Sequence, residues 1–112
     1  LEGLEPRRRE PVETEFGSTS GHLVEGDLEG SQVIFLSRHG AGHSVPAHRV
    51  NYRANIRALA DAGATRILAV CTVGAIDPTL DIGSLVLPDQ LIDYTWGREH
   101  TFHEGDGGVS HV

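Results

Sequence analysis

Apolar and polar positions alternate through the front of the chain and then gather into two denser runs. Val12, Thr14 and Phe16 alternate with acidic neighbours, which predicts a short strand with those three on one face. Gly17-Ser-Thr-Ser-Gly21 reads as a turn and His22–Leu28 as a second strand. Glu29-Gly30 is a further turn, leading into the apolar run Val33-Ile-Phe-Leu36. That run is β-branched and aromatic, so it predicts a third strand. Strands joined by short glycine turns predict an antiparallel meander.

The period then changes. Between Arg49 and Gly63, Tyr52, Ile56, Leu59 and Ala60 fall at i, i+4, i+7 and i+8, one apolar stripe of a helix that Gly63 ends. Arg49, Arg53, Arg57 and Asp61 make a second row, best read as a solvent face or subunit contact. Ile67-Leu-Ala-Val-Cys-Thr-Val73 is continuously apolar, as in a strand covered on both faces. Strand, helix and strand from 33 to 73 predict a βαβ unit with parallel strands. Ser84–Leu87 predicts another strand, interrupted at Pro88. Gln90–Tyr94 follows as a bent continuation or a short separate strand. The glycine-rich stretch 96–111 predicts a loop. The expected fold class is α/β, a mixed β-sheet flanked by helices.

Composition narrows the function classes. The length of 112 residues suits one small domain, and a net charge of −7 argues against a general nucleic-acid binder. Arg7-Arg8-Arg9 sits among Glu5, Glu10, Pro6 and Pro11, so it reads as a solvated loop whose field is largely cancelled. The single cysteine, Cys71, excludes an intrachain disulfide and fits a reducing cytoplasm. No apolar run is long enough to span a membrane and no signal peptide is visible, so no membrane partner is expected. The chain lacks methionine, opens at Leu1 and closes at Val112 after a glycine-rich turn. An incomplete domain is therefore expected.

The candidate chemistry lies where the third strand empties into Ser37-Arg-His-Gly-Ala-Gly-His-Ser-Val-Pro-Ala-His48. In open α/β sheets ligands sit at the carboxyl ends of parallel strands. Arg38 offers a rigid fork of donors suited to phosphate or carboxylate, and His39 can add a charge-assisted bond. Cys71-Thr72-Val73-Gly74 closes the expected second parallel strand, with a hydroxyl, backbone N–H groups and a glycine that admits close approach. Metal binding by His39, His43 and His48 is disfavoured, because their irregular spacing spans two glycines and a proline and no carboxylate helps. Cys71 in an apolar strand reads as an inert core residue before a nucleophile. Neither a G-x-S-x-G elbow nor a G-x-x-x-x-G-K-[ST] loop occurs, and Asp93 and Glu99 form no recognisable acid–base pair. The residues by themselves imply an anion site on an α/β sheet.

Three separated blocks carry a more specific likeness. Leu36-x-x-x-Gly40-x-x-His43-x-Val45, Val50-Asn-Tyr-Arg-Ala-Asn-Ile56 and Ile67-Leu-x-x-Cys-Thr-Val-Gly-Ala-Ile76 together resemble the trimeric purine nucleoside phosphorylase and methylthioadenosine phosphorylase family. Arg38-His39-Gly40 and Val50-Asn51-Tyr52 are similar to its methylthioadenosine branch. Gln90-Leu-Ile-Asp-Tyr-Thr-x-Gly-Arg-Glu-His-Thr-Phe102 is similar to the bacterial methylthioinosine phosphorylases within that branch. The likeness runs from about Gln32 to the end and is weaker before it.

The resemblance implies attack of inorganic phosphate on the anomeric carbon of a 5'-methylthio-purine nucleoside, giving purine base and 5-methylthioribose 1-phosphate in purine and methionine salvage. It implies a cytoplasmic homotrimer that needs no metal or organic cofactor, with phosphate as co-substrate. Arg38 and His39 match the family's phosphate-binding pair. Thr72 matches a backbone N–H donor to phosphate, and Cys71 the residue beside phosphate and sugar. Val73 and Gly74 match the segment along the nucleoside, and His111 a histidine that reaches the sugar site of an adjacent subunit. His43 matches a loop-structuring position. No catalytic residue is assigned.

Cys71 stands where Asn, Thr or Ser is usual in that family, and Ala75 where Gly or Ser is usual. The family's glycine-rich phosphate loop would precede residue 1 and its purine contacts would follow residue 112. The resemblance thus implies that residues 1–112 are part of a nucleoside phosphorylase domain and inactive alone. The alternatives are a general purine nucleoside phosphorylase and a phosphate-binding α/β module without turnover.

Overall fold

A computed structural model describes residues 4–99 and 101–103. The chain divides into two units, residues 1–65 with 98–112, and residues 66–97.

The first unit holds the regular structure. β1 (Glu5–Glu10), β4 (Leu23–Leu28) and β5 (Ser31–Leu36) form a three-stranded antiparallel sheet in the order β1-β4-β5. β2 (Glu13–Thr14) and β3 (Gly17–Ser18) form a separate two-stranded ribbon. The expected meander is thus present in β4 and β5. Leu28 pairs with Ser31, so Glu29-Gly30 is a two-residue loop; both residues have positive φ, 51° and 79°. Those signs mark the type I′ turn, whose twist matches that of the flanking strands.

Two expectations change here. The solvated loop expected over residues 1–11 contains β1, which pairs along β4 with an irregularity between Pro6 and Arg8. Main-chain hydrogen bonding to β4 determines this strand, and no apolar alternation announces it. The single strand expected over Val12–Phe16 is instead a tight hairpin turning at Glu15-Phe16. The Thr14 hydroxyl closes it, donating to the Gly17 carbonyl at 2.9 Å while accepting from Phe16 N–H at 3.1 Å.

α1 (Tyr52–Asp61) follows a short 3-10 turn at Ala47–Arg49. Asn51 caps it, its Oδ1 accepting from Ala54 N–H at 3.1 Å. The expected stop at Gly63 is a Schellman motif. Ala64 N–H reaches the Leu59 carbonyl at 3.0 Å, and Gly63 N–H reaches Ala60 at 2.9 Å.

The buried face of α1 differs from the expected stripe. Ala54 is 0% exposed, Ala58 2% and Asn55 4%, whereas Ile56 is 39% exposed. Small residues face inward because α1 lies close against the β2–β3 ribbon and the 19–21 turn. Asn51 Nδ2 donates to the Phe16 carbonyl at 2.7 Å, and Ser20 N–H donates to Asn55 Oδ1 at 2.8 Å. A bulky apolar side chain would hold these backbones apart. Leu23 and Val50 complete the core among the described residues.

Arg53 also departs from a solvent-facing row. Its side chain is 13% exposed and its guanidinium lies 5.1 Å from the Phe16 ring centroid. It pairs with Glu99 and donates to the Thr101 carbonyl at 3.3 Å. Phe102 meets Phe16 edge-on at 5.3 Å, and Arg98 lies 4.4 Å over the Tyr52 ring. An ion pair with one exposed partner contributes about 0–1 kcal/mol, while the ring pair and a shielded cation–π contact contribute about 1–3 kcal/mol together. These contacts hold Arg98, Glu99 and Thr101 against Tyr52 and Arg53 of α1, and Phe102 against Phe16.

The second unit, residues 66–97, contains no helix or strand among its described residues. The strands expected at 67–73, 84–87 and 90–94 are not formed, and neither is the parallel half of the βαβ unit. Leu68 and Val73 are 84% and 80% exposed. An apolar run encodes a demand for burial but not the ladder that meets it, and neither sheet of the described residues includes this run. Local turns dominate instead. Asp77 Oδ1 accepts from the Thr79 hydroxyl at 2.7 Å and Thr79 N–H at 2.9 Å, and Asp93 accepts likewise from Thr95. The α/β class stands, with antiparallel sheets and one α-helix among the described residues.

Candidate functional site

β5 delivers Arg38 and His39 to the loop between the sheet and α1, where both are half-buried. The loop is folded on itself by main-chain bonds. Gly40 N–H donates to the Ser37 carbonyl at 2.9 Å, and the Ser37 hydroxyl donates to the Gly40 carbonyl at 3.0 Å. Val45 N–H donates to the His39 carbonyl at 2.8 Å. A strand end that must turn sharply requires an unusual backbone, which Gly40 supplies at φ 72° and ψ −179°.

The His39 ring is held from the same loop. Its Nδ1 lies 2.8 Å from the Val45 carbonyl oxygen. A carbonyl only accepts, so Nδ1 carries the proton and the ring's tautomer is assigned by this contact. Nε2 then accepts in the neutral ring and donates in the cationic ring, the form suited to an anion. His43 stacks on His39 with centroids 4.5 Å apart and planes 24° from parallel. It sits at φ 60° in an exposed 3-10 turn, Ala41–His43. His48 is exposed beyond Pro46.

Chemically, this braced turn carries a guanidinium on Arg38 and, on the next residue, an imidazole oriented by its Nδ1 contact. That is a donor set for a tetrahedral oxyanion. Among the described residues no group of three or more His, Cys, Asp or Glu side chains gathers in a metal-holding arrangement.

Cys71, Thr72, Val73 and Gly74 belong to the second unit and are exposed. Cys71, expected inside a covered strand, is thus a surface residue of its unit. His111 lies outside the described residues. Sequence reasoning passed over Asn51 and Asn55, the two amides that tie α1 to the 16–20 segment. A helix-start asparagine, and a second one in the helix interior where it is a poor helix former, were the available signals.

The family model described as the phosphorylase superfamily matches residues 2–112. A protein of Pseudomonas syringae pv. tomato named probable S-methyl-5'-thioinosine phosphorylase is 51% identical over 113 residues, covering 100% of this chain and 46% of its own length. A probable 6-oxopurine nucleoside phosphorylase of Dictyoglomus turgidum is 48% identical over 102 residues, covering 90% of this chain and 38% of its own. Among solved structures, a mutant adenosine/methylthioadenosine phosphorylase of Schistosoma mansoni in complex with adenine aligns with TM-score 0.53 and 43% identity. That alignment covers 56% of this chain and 22% of the other. The chain spans less than half the length of these relatives.

Proposed function

This chain belongs to the phosphorylase superfamily, and from that premise we propose that it is part of a phosphorylase acting on 5'-methylthio-purine nucleosides. Residues 1–112 then form part of one nucleoside phosphorylase domain. The observation that carries the reading is the braced Arg38-His39 turn, with His39 Nδ1 fixed on the Val45 carbonyl at 2.8 Å. A phosphate held there is both nucleophile and counter-charge. Its oxygen forms the new bond to the anomeric carbon while the bond from that carbon to the purine nitrogen breaks. The base leaves with the electron pair and takes a proton, and the sugar keeps the phosphate.

The positive charge that develops on the ribosyl centre is stabilised by the bound phosphate, and holding the two reactants together lowers the entropic cost. In this proposal Cys71 and Thr72 complete the phosphate contacts, Val73 and Gly74 run along the nucleoside, and His111 reaches the sugar site of an adjacent subunit in a homotrimer. Phosphate is the co-substrate and no metal or organic cofactor takes part. In this proposal the enzyme acts in the cytoplasm, as the likeness to nucleoside phosphorylases implies.

Full-length protein supplied with methylthioinosine or methylthioadenosine releases base only when phosphate is present. Equal release without phosphate makes it a hydrolase and overturns the reading. Arg38→Ala raises the phosphate KM by about tenfold or more, the loss of a charge-assisted contact of about 1.5–3 kcal/mol. A second reading, a 6-oxopurine nucleoside phosphorylase indifferent to the 5' group, is favoured by the 48% identity to the Dictyoglomus relative. Comparable kcat/KM on inosine and methylthioinosine selects it.

A further inference from the structure

Asn55 is 4% exposed, and both ends of its amide are spent on one residue 35 positions upstream. Its Oδ1 accepts from Ser20 N–H at 2.8 Å, and its Nδ2 donates to the Ser20 hydroxyl at 3.1 Å. Ser20 is in turn pressed against the Arg38-His39 turn. A Cβ at Gly40 would lie 3.0 Å from the Ser20 carbonyl oxygen, and a Cβ at Gly21 would lie 2.7 Å from the Ser37 carbonyl oxygen. Ser20-Gly21 therefore lies backbone to backbone against Ser37 and Gly40, the two residues that bracket Arg38 and His39. Side chains at either glycine would wedge the segments apart. The route from helix to site is Asn55, Ser20-Gly21, Ser37 and Gly40, then Arg38 and His39, and every step is a polar bond or a backbone contact.

We infer that Asn55 is a positioning residue for the phosphate subsite, holding the Ser37–Gly40 turn in register through Ser20 without touching the ligand. The inference rests on the phosphorylase reading above. Asn51 supplies the internal contrast. It also ties α1 to the front of the chain, but through the Phe16 and Ser18 carbonyls at 2.7 and 3.4 Å and not through Ser20. A merely structural role would make the two asparagines equivalent. A positioning role separates them.

The test is steady-state kinetics of the full-length protein with phosphate and methylthioinosine varied independently, alongside thermal unfolding. Asn55→Ala is expected to raise the phosphate KM by about tenfold or more while the nucleoside KM stays within about twofold, since small displacements of binding groups carry large penalties. Asn51→Ala is expected to lower the unfolding temperature and leave the phosphate KM near wild type.

If Asn55→Ala does not fold, Ser20→Ala, which removes only the hydroxyl partner, is expected to raise the phosphate KM by about threefold. A phosphate KM unmoved in the folded Asn55 or Ser20 variant, or moved equally by Asn51→Ala, overturns the inference and leaves the phosphorylase reading standing. Wild-type base release that ignores phosphate overturns both.

Discussion

Replacing Gly40 by alanine tests the geometry of the turn that carries Arg38 and His39. Gly40 sits at φ 72° and ψ −179°, a region essentially closed to residues with a Cβ, where occupancy costs about 1–3 kcal/mol. The added methyl would meet the Ser20 carbonyl oxygen at 3.0 Å, and Ser44 Oγ and Val45 Cγ2 at 3.1 Å. The Ser44 hydroxyl and Val45 methyl are side-chain ends that can yield. The Ser20 carbonyl is backbone, in a residue whose N–H and hydroxyl are bonded to Asn55, and its displacement adds about 1–2 kcal/mol of overpacking.

The expected cost of Gly40→Ala is therefore about 2–5 kcal/mol. Gly42 provides the control. It has φ 65° and ψ 19° with nothing within 4 Å of a Cβ, so Gly42→Ala carries only the left-handed penalty of about 1–1.5 kcal/mol. Urea unfolding followed by far-ultraviolet circular dichroism separates the two. At a slope near 1.5 kcal/mol/M the midpoint falls by about 2 M for Gly40→Ala and by under about 1 M for Gly42→Ala. Equal midpoints for the two variants would refute both the backbone conformation and the close approach of the Ser20 carbonyl.

Two further outcomes follow from single contacts. Asn51→Ala removes the helix cap and the bond to the Phe16 carbonyl, and is expected to cost about 2 kcal/mol by urea unfolding. A cost below about 0.5 kcal/mol would mean that neither contact contributes to stability. The Thr79 hydroxyl, and then its N–H, hold the Asp77 carboxyl below the usual carboxylate range. Because folding lowers this pKa, the contact favours the folded turn above the ordinary carboxylate titration range, and its contribution disappears as pH falls through the lowered value. Thr79→Ala is expected to raise the Asp77 midpoint in a carboxyl-carbon NMR titration; an unmoved midpoint shows that the hydroxyl is not the cause.

What was legible in the sequence is local. The Glu29-Gly30 turn between β4 and β5 and the Gly63 stop after α1 are set by the backbone demands of one or two residues, which neighbours in the chain suffice to express. The exit of Arg38 and His39 from an apolar strand into a glycine loop belongs to the same class. The chemistry of the site was visible there as residue types, and its family likeness as three separated blocks in order.

Tertiary structure decided everything that depends on a partner distant in the chain. β1 exists because β4 offers it a ladder, although Pro-Arg-Arg-Arg carries no strand signal of its own. The inner face of α1 is Ala54, Asn55 and Ala58, not the more apolar stripe through Ile56, because the ribbon approaches too closely for larger side chains. Arg53 turns from an expected surface row into a contact with Phe16, Glu99 and Thr101. The apolar run 67–73 shows the converse. Its composition asks for a covered strand, yet a strand is a property of at least two segments, and the described residues place this one in neither sheet. Hydrophobic pattern records which side chains gain by leaving water; which backbone they leave it against is a question of geometry between segments.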